Sequence, residues 1–391
     1  MSFSEVLSDA RWRVDGYAKS NVAYSVAGVR ELDPSAAQLL WSEDLGTGGN
    51  FDSEIFSAAV RAKSRRFAGG VYAVVPVYVT SVCIERCVYC NYRIGNKGVE
   101  VERLRLSPDQ LAAEVNFLAA EKGLRVMELV YATDPQVRVD RMCRDVELTR
   151  KVLEQYGGGT VGINAEALDE SEYRQLRDAG LNFSVLWQET YDKERYVEYH
   201  PGTTKKTHFE YRVEAYERML VSGIDAIGMG VLSGLSDWRT DWALMMEHEA
   251  YIAKRYGITP AIIGVPRLKP AAGALVKETT HIPSRQEFKC AIAVHNLFSP
   301  STLPFLNTRE DWPFCRELAA GGGALFTFNC STIPGGYAAG KHGYQFPTGS
   351  FDAPSFAPRL AADGIRSIFD WKFVGSDPVA AEKSIAAIAG A

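Results

Sequence analysis

The chain has 391 residues, 46% hydrophobic and 23% charged, which is the balance of a globular protein long enough to bury a substantial core. A net charge of −5, with no basic stripe interleaved with aromatics, argues against a nucleic-acid partner. No apolar run approaches membrane-spanning length, and the opening MSFSEVLSDARW carries acids where a secretory signal is basic and then apolar, so a cytoplasmic protein without membrane association is expected.

Residues 1–70 carry apolar residues at helical spacing and read as a helical N-terminal extension. Asp52-Ser53 are expected to cap an Ala- and Arg-rich helix near 54–66, after a loop marked by Gly46, Gly48 and Gly49. From 71 the pattern changes to short apolar runs at 73–80, 126–131, 159–164, 182–188, 225–232, 261–266, 302–307 and 324–329. Amphipathic stretches near 108–122, 139–156, 169–179, 208–222, 238–256, 284–297 and 311–320 separate them. Eight strands alternating with helices predict an α/β fold, a (β/α)8 TIM barrel spanning 71–334. An open sheet is the alternative, but no glycine-rich dinucleotide turn follows the first strand. Residues 335–391, rich in Gly, Ala, Pro and Phe, are expected to cap one end of the barrel and to finish in a helix at 377–389.

Three of the seven cysteines fall in one loop just after the first strand: Cys83, Cys87 and Cys90. Such clustering fits a reducing compartment and a metal site better than a disulfide framework. Thiolates select zinc, Cu(I) or iron–sulfur clusters. A closed zinc site needs four ligands, and no cysteine or histidine nearby supplies a fourth. Most [4Fe–4S] clusters also take four cysteines, so three leave one iron open. A zinc knuckle or a chance group of buried cysteines is the plainer alternative. CxxxCxxC with Tyr89 before the last cysteine resembles the signature of radical S-adenosylmethionine (SAM) enzymes. That resemblance implies a [4Fe–4S] cluster whose open iron chelates SAM, and an external reductase- or flavodoxin-type electron donor.

In a barrel the reactive groups sit at the C-terminal strand ends. After the second strand, Thr133 or Asp134 stands where radical SAM enzymes usually carry a Gly-Gly-Glu-like segment for the SAM amino group; an ordinary loop opened by Asp134-Pro135 is the alternative. After the fourth strand, Glu189 suits ribose hydroxyls and Arg212 a carboxylate. His200 is either a proton shuttle or structural. Gly228 and Gly230 on the fifth strand allow close approach of a flat adenine, and Ser236 or Asp237 caps the following helix. Arg309 after the seventh strand suits bidentate capture of a carboxylate, with hydroxyls of the eighth strand beside it, and Tyr78 on the first strand faces the same interior.

The stretches QETY, FEYR, GLSDWRTD, PRLKP, NTRE and PGGY, in that order, resemble the aromatic amino acid lyase branch of radical SAM enzymes, the tyrosine- and tryptophan-cleaving families, and 2-iminoacetate synthase most of all. The resemblance covers roughly 75–345. It implies that Arg309 and Thr327 hold the substrate carboxylate and that Tyr78 lies near the amine. It also implies that a 5′-deoxyadenosyl radical fragments a free aromatic amino acid. With L-tyrosine the products are p-cresol and 2-iminoacetate (dehydroglycine), an imine that a downstream enzyme, as in thiamine biosynthesis, could accept. Tryptophan or another aromatic amino acid is the alternative substrate, and a non-enzymatic iron–sulfur or zinc scaffold the alternative class. Cys290, Cys315 and Cys330 lack CxxC spacing, so no second cluster is expected.

Overall fold

The change of period at residue 71 marks the point where the chain begins to close on itself. The computed structural model describes residues 2–20, 25–96 and 102–380. Before the barrel lie helices α1 (Phe3–Lys19) and α2 (Asn50–Phe67). Eight parallel strands follow: β1 (Val71–Thr80), β2 (Val126–Tyr131), β3 (Thr160–Asn164), β4 (Phe183–Val185), β5 (Ile227–Gly230), β6 (Ile262–Gly264), β7 (Leu303–Leu306) and β8 (Ala324–Thr327). They pair in chain order, and β1 bonds to both β8 and β2, so the sheet closes without an edge into a (β/α)8 barrel. Helices α3 (Pro108–Glu121), α4 (Val139–Glu154), α5 (Glu170–Asp178), α6 (Lys193–Tyr199), α7 (Phe209–Val213), α8 (Ala215–Val221), α9 (Trp238–Tyr256), α10 (Arg285–Phe298) and α11 (Trp312–Ala319) connect the strands. The single helix expected over 208–222 is two, α7 and α8. Glu214 at the join is held by the hydroxyls of Ser2 and Ser4.

Strand alternation decides what faces inward. On β1, Val71, Ala73, Val75, Val77 and Val79 join the core under the helices, while Tyr72 and Val74 enter a second apolar cluster inside the barrel. Pro76, Tyr78 and Thr80 continue that inward row upward and line a cavity. The barrel is therefore apolar below and open above.

The segment after β8 serves both ends. Residues 345–348 lie over the mouth, while Tyr337 donates to the Pro76 carbonyl at 2.6 Å. Past α12 (Ala353–Ala361), β9 (Ser367–Ile368) pairs with the start of β1, and β10 (Trp371–Val374) with β11 (Asp377–Ala380) forms a hairpin under the barrel. Trp371, 1% exposed, fills the lower opening edge-on to Tyr72. The helix expected at 377–389 is thus a strand over 377–380, because Ala380 pairs with Trp371 and Val379 with Lys372 across a hairpin rather than along a helix face; 381–389 lie outside the described residues. Asp52-Ser53 do not cap α2 either. The helix begins at Asn50 with Gly49 as its cap, and the Asp52 carboxylate turns back to accept from the N–H groups of Gly46 (2.8 Å) and Gly48 (2.7 Å). Asp237 caps α9 as expected, accepting from Thr240 N–H at 2.9 Å.

Candidate active site at the barrel mouth

A cavity of about 210 Å³ opens at the C-terminal ends of the strands, and Cys83, Cys87 and Cys90 all reach it. The loop that carries them is pinned from outside: Ile84 N–H donates to Thr133 O, Val88 N–H to Tyr199 O, and Thr204 Oγ1 to Glu85 (2.7 Å). The N–H groups of Glu85 and Tyr92 lie 3.4 Å from the sulfurs of Cys83 and Cys90, and Gln345 Nε2 lies 3.3 Å from Cys90. All three thiols are free. Burial pushes Cys83 up to about 11 and Cys87 further, so both need a cationic centre to ionise. Three soft donors with hydrogen-bond donors aimed at two of them fit an iron–sulfur cluster. Tyr89 lines the cavity and donates to His200 Nε2 at 2.7 Å. The other ring nitrogen of His200, 2.7 Å from the Tyr196 carbonyl, must therefore carry the proton, and burial keeps the ring neutral. His200 holds Tyr89 in place and does not line the cavity.

Beside the thiols stands a charged group drawn from the ends of β3 and β4, the loop after α6 and helix α7. Arg212 pairs with Glu166 and donates to the Trp187 carbonyl at 3.0 and 2.6 Å, with Glu189 3.7 Å away. Lys206 lies 3.8 Å from Glu166 and 3.7 Å from Glu189. Glu189 has φ +74°, a left-handed conformation that disfavours a side chain and is kept where structure demands it. Thr133 lines the cavity; Asp134 does not. Its carboxylate is taken by Arg105 (2.6 and 2.7 Å), Thr80 Oγ1 (2.7 Å) and Gln136 N–H (3.0 Å), so it anchors the loop and has no oxygen facing the site. Gly228 and Gly230 do not line it either. A Cβ on Gly228 would meet Val185 at 2.4 Å, and one on Gly230 would meet the Gly264 carbonyl at 1.9 Å and the Trp187 ring at 2.8 Å. These glycines make room for neighbouring protein groups, the Trp187 indole among them, where an adenine was expected.

The third wall comes from β7, β8 and β1. Arg309 lies with its guanidinium carbon 3.6 Å from the centre of the Phe346 ring, and its Nε is buried without a hydrogen-bond partner among the described residues. Thr327 Oγ1 is likewise buried and unpartnered. Tyr78 donates to Gln345 Oε1 at 2.8 Å. The NTRE and PRLKP stretches brace one another: Arg267 forks onto Glu310 at 2.8 and 2.7 Å, and Lys269 adds a contact at 3.1 Å. Tyr78, Tyr89, Thr133, Glu189, Arg212, Arg309, Thr327 and the three cysteines thus share one cavity.

Reading the sequence missed Glu128, Asn164, Glu166, Lys206 and Gln345, all of which line it. Glu128 carried a usable signal. It is the one charged residue in the strand VMELVY, at the same parity as inward Val126 and Val130. Cys330 also lines the cavity, beside Thr308 and Thr348.

The pattern of the Radical SAM superfamily matches residues 77–244. Over 372 residues the chain is 28% identical to the 2-iminoacetate synthase of Escherichia coli (strain K12), covering 93% of both chains. Among solved structures, HydG, a maturase of the [FeFe]-hydrogenase, superposes with a TM-score of 0.80 at 27% identity, over 93% of this chain and 76% of HydG. Methylornithine synthase (PylB) has a TM-score of 0.68 at 21% identity, over 88% of this chain and 96% of its own, a likeness of fold alone.

Proposed function

The chain belongs to the radical SAM superfamily, and from that premise we propose that it cleaves the side chain of a free aromatic amino acid, L-tyrosine foremost, to p-cresol and 2-iminoacetate. It is a radical SAM enzyme with a [4Fe–4S] cluster and SAM as cofactors. When bound, these supply a 5′-deoxyadenosyl radical that takes a hydrogen atom from the substrate. Everything else is done by side chains. Cys83, Cys87 and Cys90 hold the cluster. Tyr89, Thr133, Glu189 and Arg212 surround SAM beside it. Arg309 and Thr327 fix the substrate carboxylate, Tyr78 lies at its amine, and Phe346 and Gln345 cover the mouth against water.

One observation carries this reading: Arg309 Nε and Thr327 Oγ1 are unpartnered donors buried in the cavity that the three thiols reach. A buried polar group without a partner costs about 1–3 kcal/mol, and a carboxylate would satisfy both. Likeness to 2-iminoacetate synthase along nearly the whole chain supports the choice of tyrosine. The reducing equivalents come from an external reductase- or flavodoxin-type donor, and a downstream enzyme would accept the imine.

Anaerobic reconstitution with SAM and a reductant tests the reading. L-Tyrosine should yield p-cresol and 5′-deoxyadenosine, detected by mass. Indole products from L-tryptophan alone would move the substrate to tryptophan. A cluster that forms while SAM is never cleaved would make the protein an iron–sulfur carrier. Arg309→Ala should keep its iron yet lose about 100-fold in kcat/KM for the amino acid, as expected when one partner of a buried charge pair is removed.

A further inference from the structure

Gln345 touches two parts of the site at once. It belongs to the tail that returns over the mouth, and its amide lies between the cysteine loop and β1. Nε2 is 3.3 Å from Cys90 Sγ, and Oε1 accepts from the Tyr78 phenol at 2.8 Å. Chemistry fixes the orientation of that amide. A thiolate bound to iron has no proton and can only accept, so the NH2 end must face sulfur and the carbonyl end must face Tyr78. Burial holds Tyr78 as a neutral phenol with a proton to give. The backbone around Gln345 is clipped in place as well. Its N–H donates to Thr332 Oγ1 at 2.9 Å, and Asn91, next to Cys90, donates through Nδ2 to the Tyr344 carbonyl at 2.7 Å.

The N–H groups of Glu85 and Tyr92 near the ligand sulfurs are backbone groups of the cysteine loop itself, whereas Gln345 reaches in from the far end of the chain. Its neighbour Phe346 stacks on Arg309, and Arg309 and Tyr78 are close enough for the charge of one to bias the ionisation of the other. Two consecutive residues therefore touch a cluster ligand, the phenol at the amine and the guanidinium at the carboxylate. A donor to a ligand sulfur stabilises the extra negative charge of a reduced cluster, and so raises its reduction potential. Direction also matters along this row of groups. An amine lodged at Tyr78 would donate to the phenol oxygen, the phenol donates to Gln345, and the amide donates to Cys90. All three bonds point the same way, so each polarises the next.

We propose that Gln345 couples the amino-acid site to the cluster, donating to the Cys90 thiolate and tightening that bond when an amine engages Tyr78, so that the cluster takes up an electron more readily once substrate is in place. The part played by the amine rests on the lyase reading above. Gln345 is a positioning residue that acts through Cys90.

The test reads the cluster's reduction potential, by titration followed with electron paramagnetic resonance, in the cluster-loaded protein with S-adenosylhomocysteine, which has no sulfonium to cleave. In the unaltered protein L-tyrosine, or L-tryptophan as the alternative substrate, should make reduction about threefold more favourable. Gln345→Leu removes the donor and keeps the bulk. Its cluster should be about tenfold harder to reduce, a fall of about 59 mV for one electron, and the amino acid should no longer move it. Should that variant load no cluster, Tyr78→Phe serves. There Gln345 keeps its bond to sulfur, so the resting potential should change less than about threefold while the response to the amino acid vanishes. An unchanged potential in Gln345→Leu would overturn the proposal, as would a response to the amino acid that survives in either variant. A potential that responds to L-tyrosine while no p-cresol forms under reductant would defeat the lyase reading and leave the coupling standing; p-cresol formed with no response of the potential would do the reverse.

Discussion

The two ends of the barrel solve opposite problems with the same strands. Below, Trp371 sits among Tyr72, Phe67 and Phe373, and its polar atoms are matched: Nε1 donates to the Ala73 carbonyl at 2.9 Å, and its own carbonyl accepts from Thr160 Oγ1 at 2.7 Å. The Ser367 hydroxyl there has no partner among the described residues. Above, Arg309 Nε and Thr327 Oγ1 have no partner, Glu128 has one oxygen free, and Glu189 holds a left-handed backbone. Other buried atoms without a partner, such as His248 Nε2 and Asn296 Oδ1, lie in the surrounding helices, so what sets Arg309 and Thr327 apart is their place in a cavity at the C-terminal strand ends, where barrel enzymes in general carry their reactive groups. Where such atoms line a cavity they mark a place for a ligand, whose hydrogen bonds would offset their desolvation.

The sharpest way to break this comparison is at the thiols. Cys87→Ala should abolish the cluster and all SAM cleavage, read as iron content, visible absorbance and 5′-deoxyadenosine. The fold should survive, since the loop is also pinned by Thr133, Tyr199 and Thr204. A full cluster in that variant would overturn the ligand assignment. Next in size is the lower plug. Trp371→Ala removes a fully buried indole and should lower unfolding free energy by about 3–5 kcal/mol in denaturant titration. Iron content and KM at a permissive temperature should stay as they were. Loss of cluster in proportion to stability would show that the two ends are coupled after all.

Those ends were not equally legible in the sequence. Cys83, Cys87 and Cys90 are local, so spacing alone locates them, and the inward parity of Tyr78, Thr80 and Thr327 follows once strands are recognised. Asp134 was misplaced because its partner Arg105 lies 29 residues upstream, across a loop that no periodicity connects. Gly228 and Gly230 were misread because the group that fills the space beside them, Trp187, belongs to another strand end. Glu166, Lys206 and Gln345 are single polar residues in unrelated segments, and only barrel closure and the return of the tail over the mouth bring them together. The same holds for Trp371, whose tail has helical composition but finds its partners in Tyr72 and Ala73, about 300 residues earlier by sequence number.

The finest test of the contrast is Thr327. Its hydroxyl is buried without a partner, whereas Thr160 on the lower layer donates at 2.7 Å. Replacing each by valine keeps shape and removes one donor, so the pair isolates what a partner is worth. Thr160→Val leaves the Trp371 carbonyl unsatisfied and should destabilise by about 1–3 kcal/mol. Thr327→Val removes a hydroxyl already desolvated for nothing in the empty protein, and should be neutral or stabilising by up to about 1 kcal/mol. The order should invert for function: Thr160→Val leaves KM unchanged, while Thr327→Val raises KM for the amino acid by about 10-fold, the loss of one hydrogen bond to a carboxylate. If Thr327→Val destabilised the empty protein as much as Thr160→Val, the hydroxyl would be structural, and the upper end would have lost one of the two donors on which a carboxylate site rests.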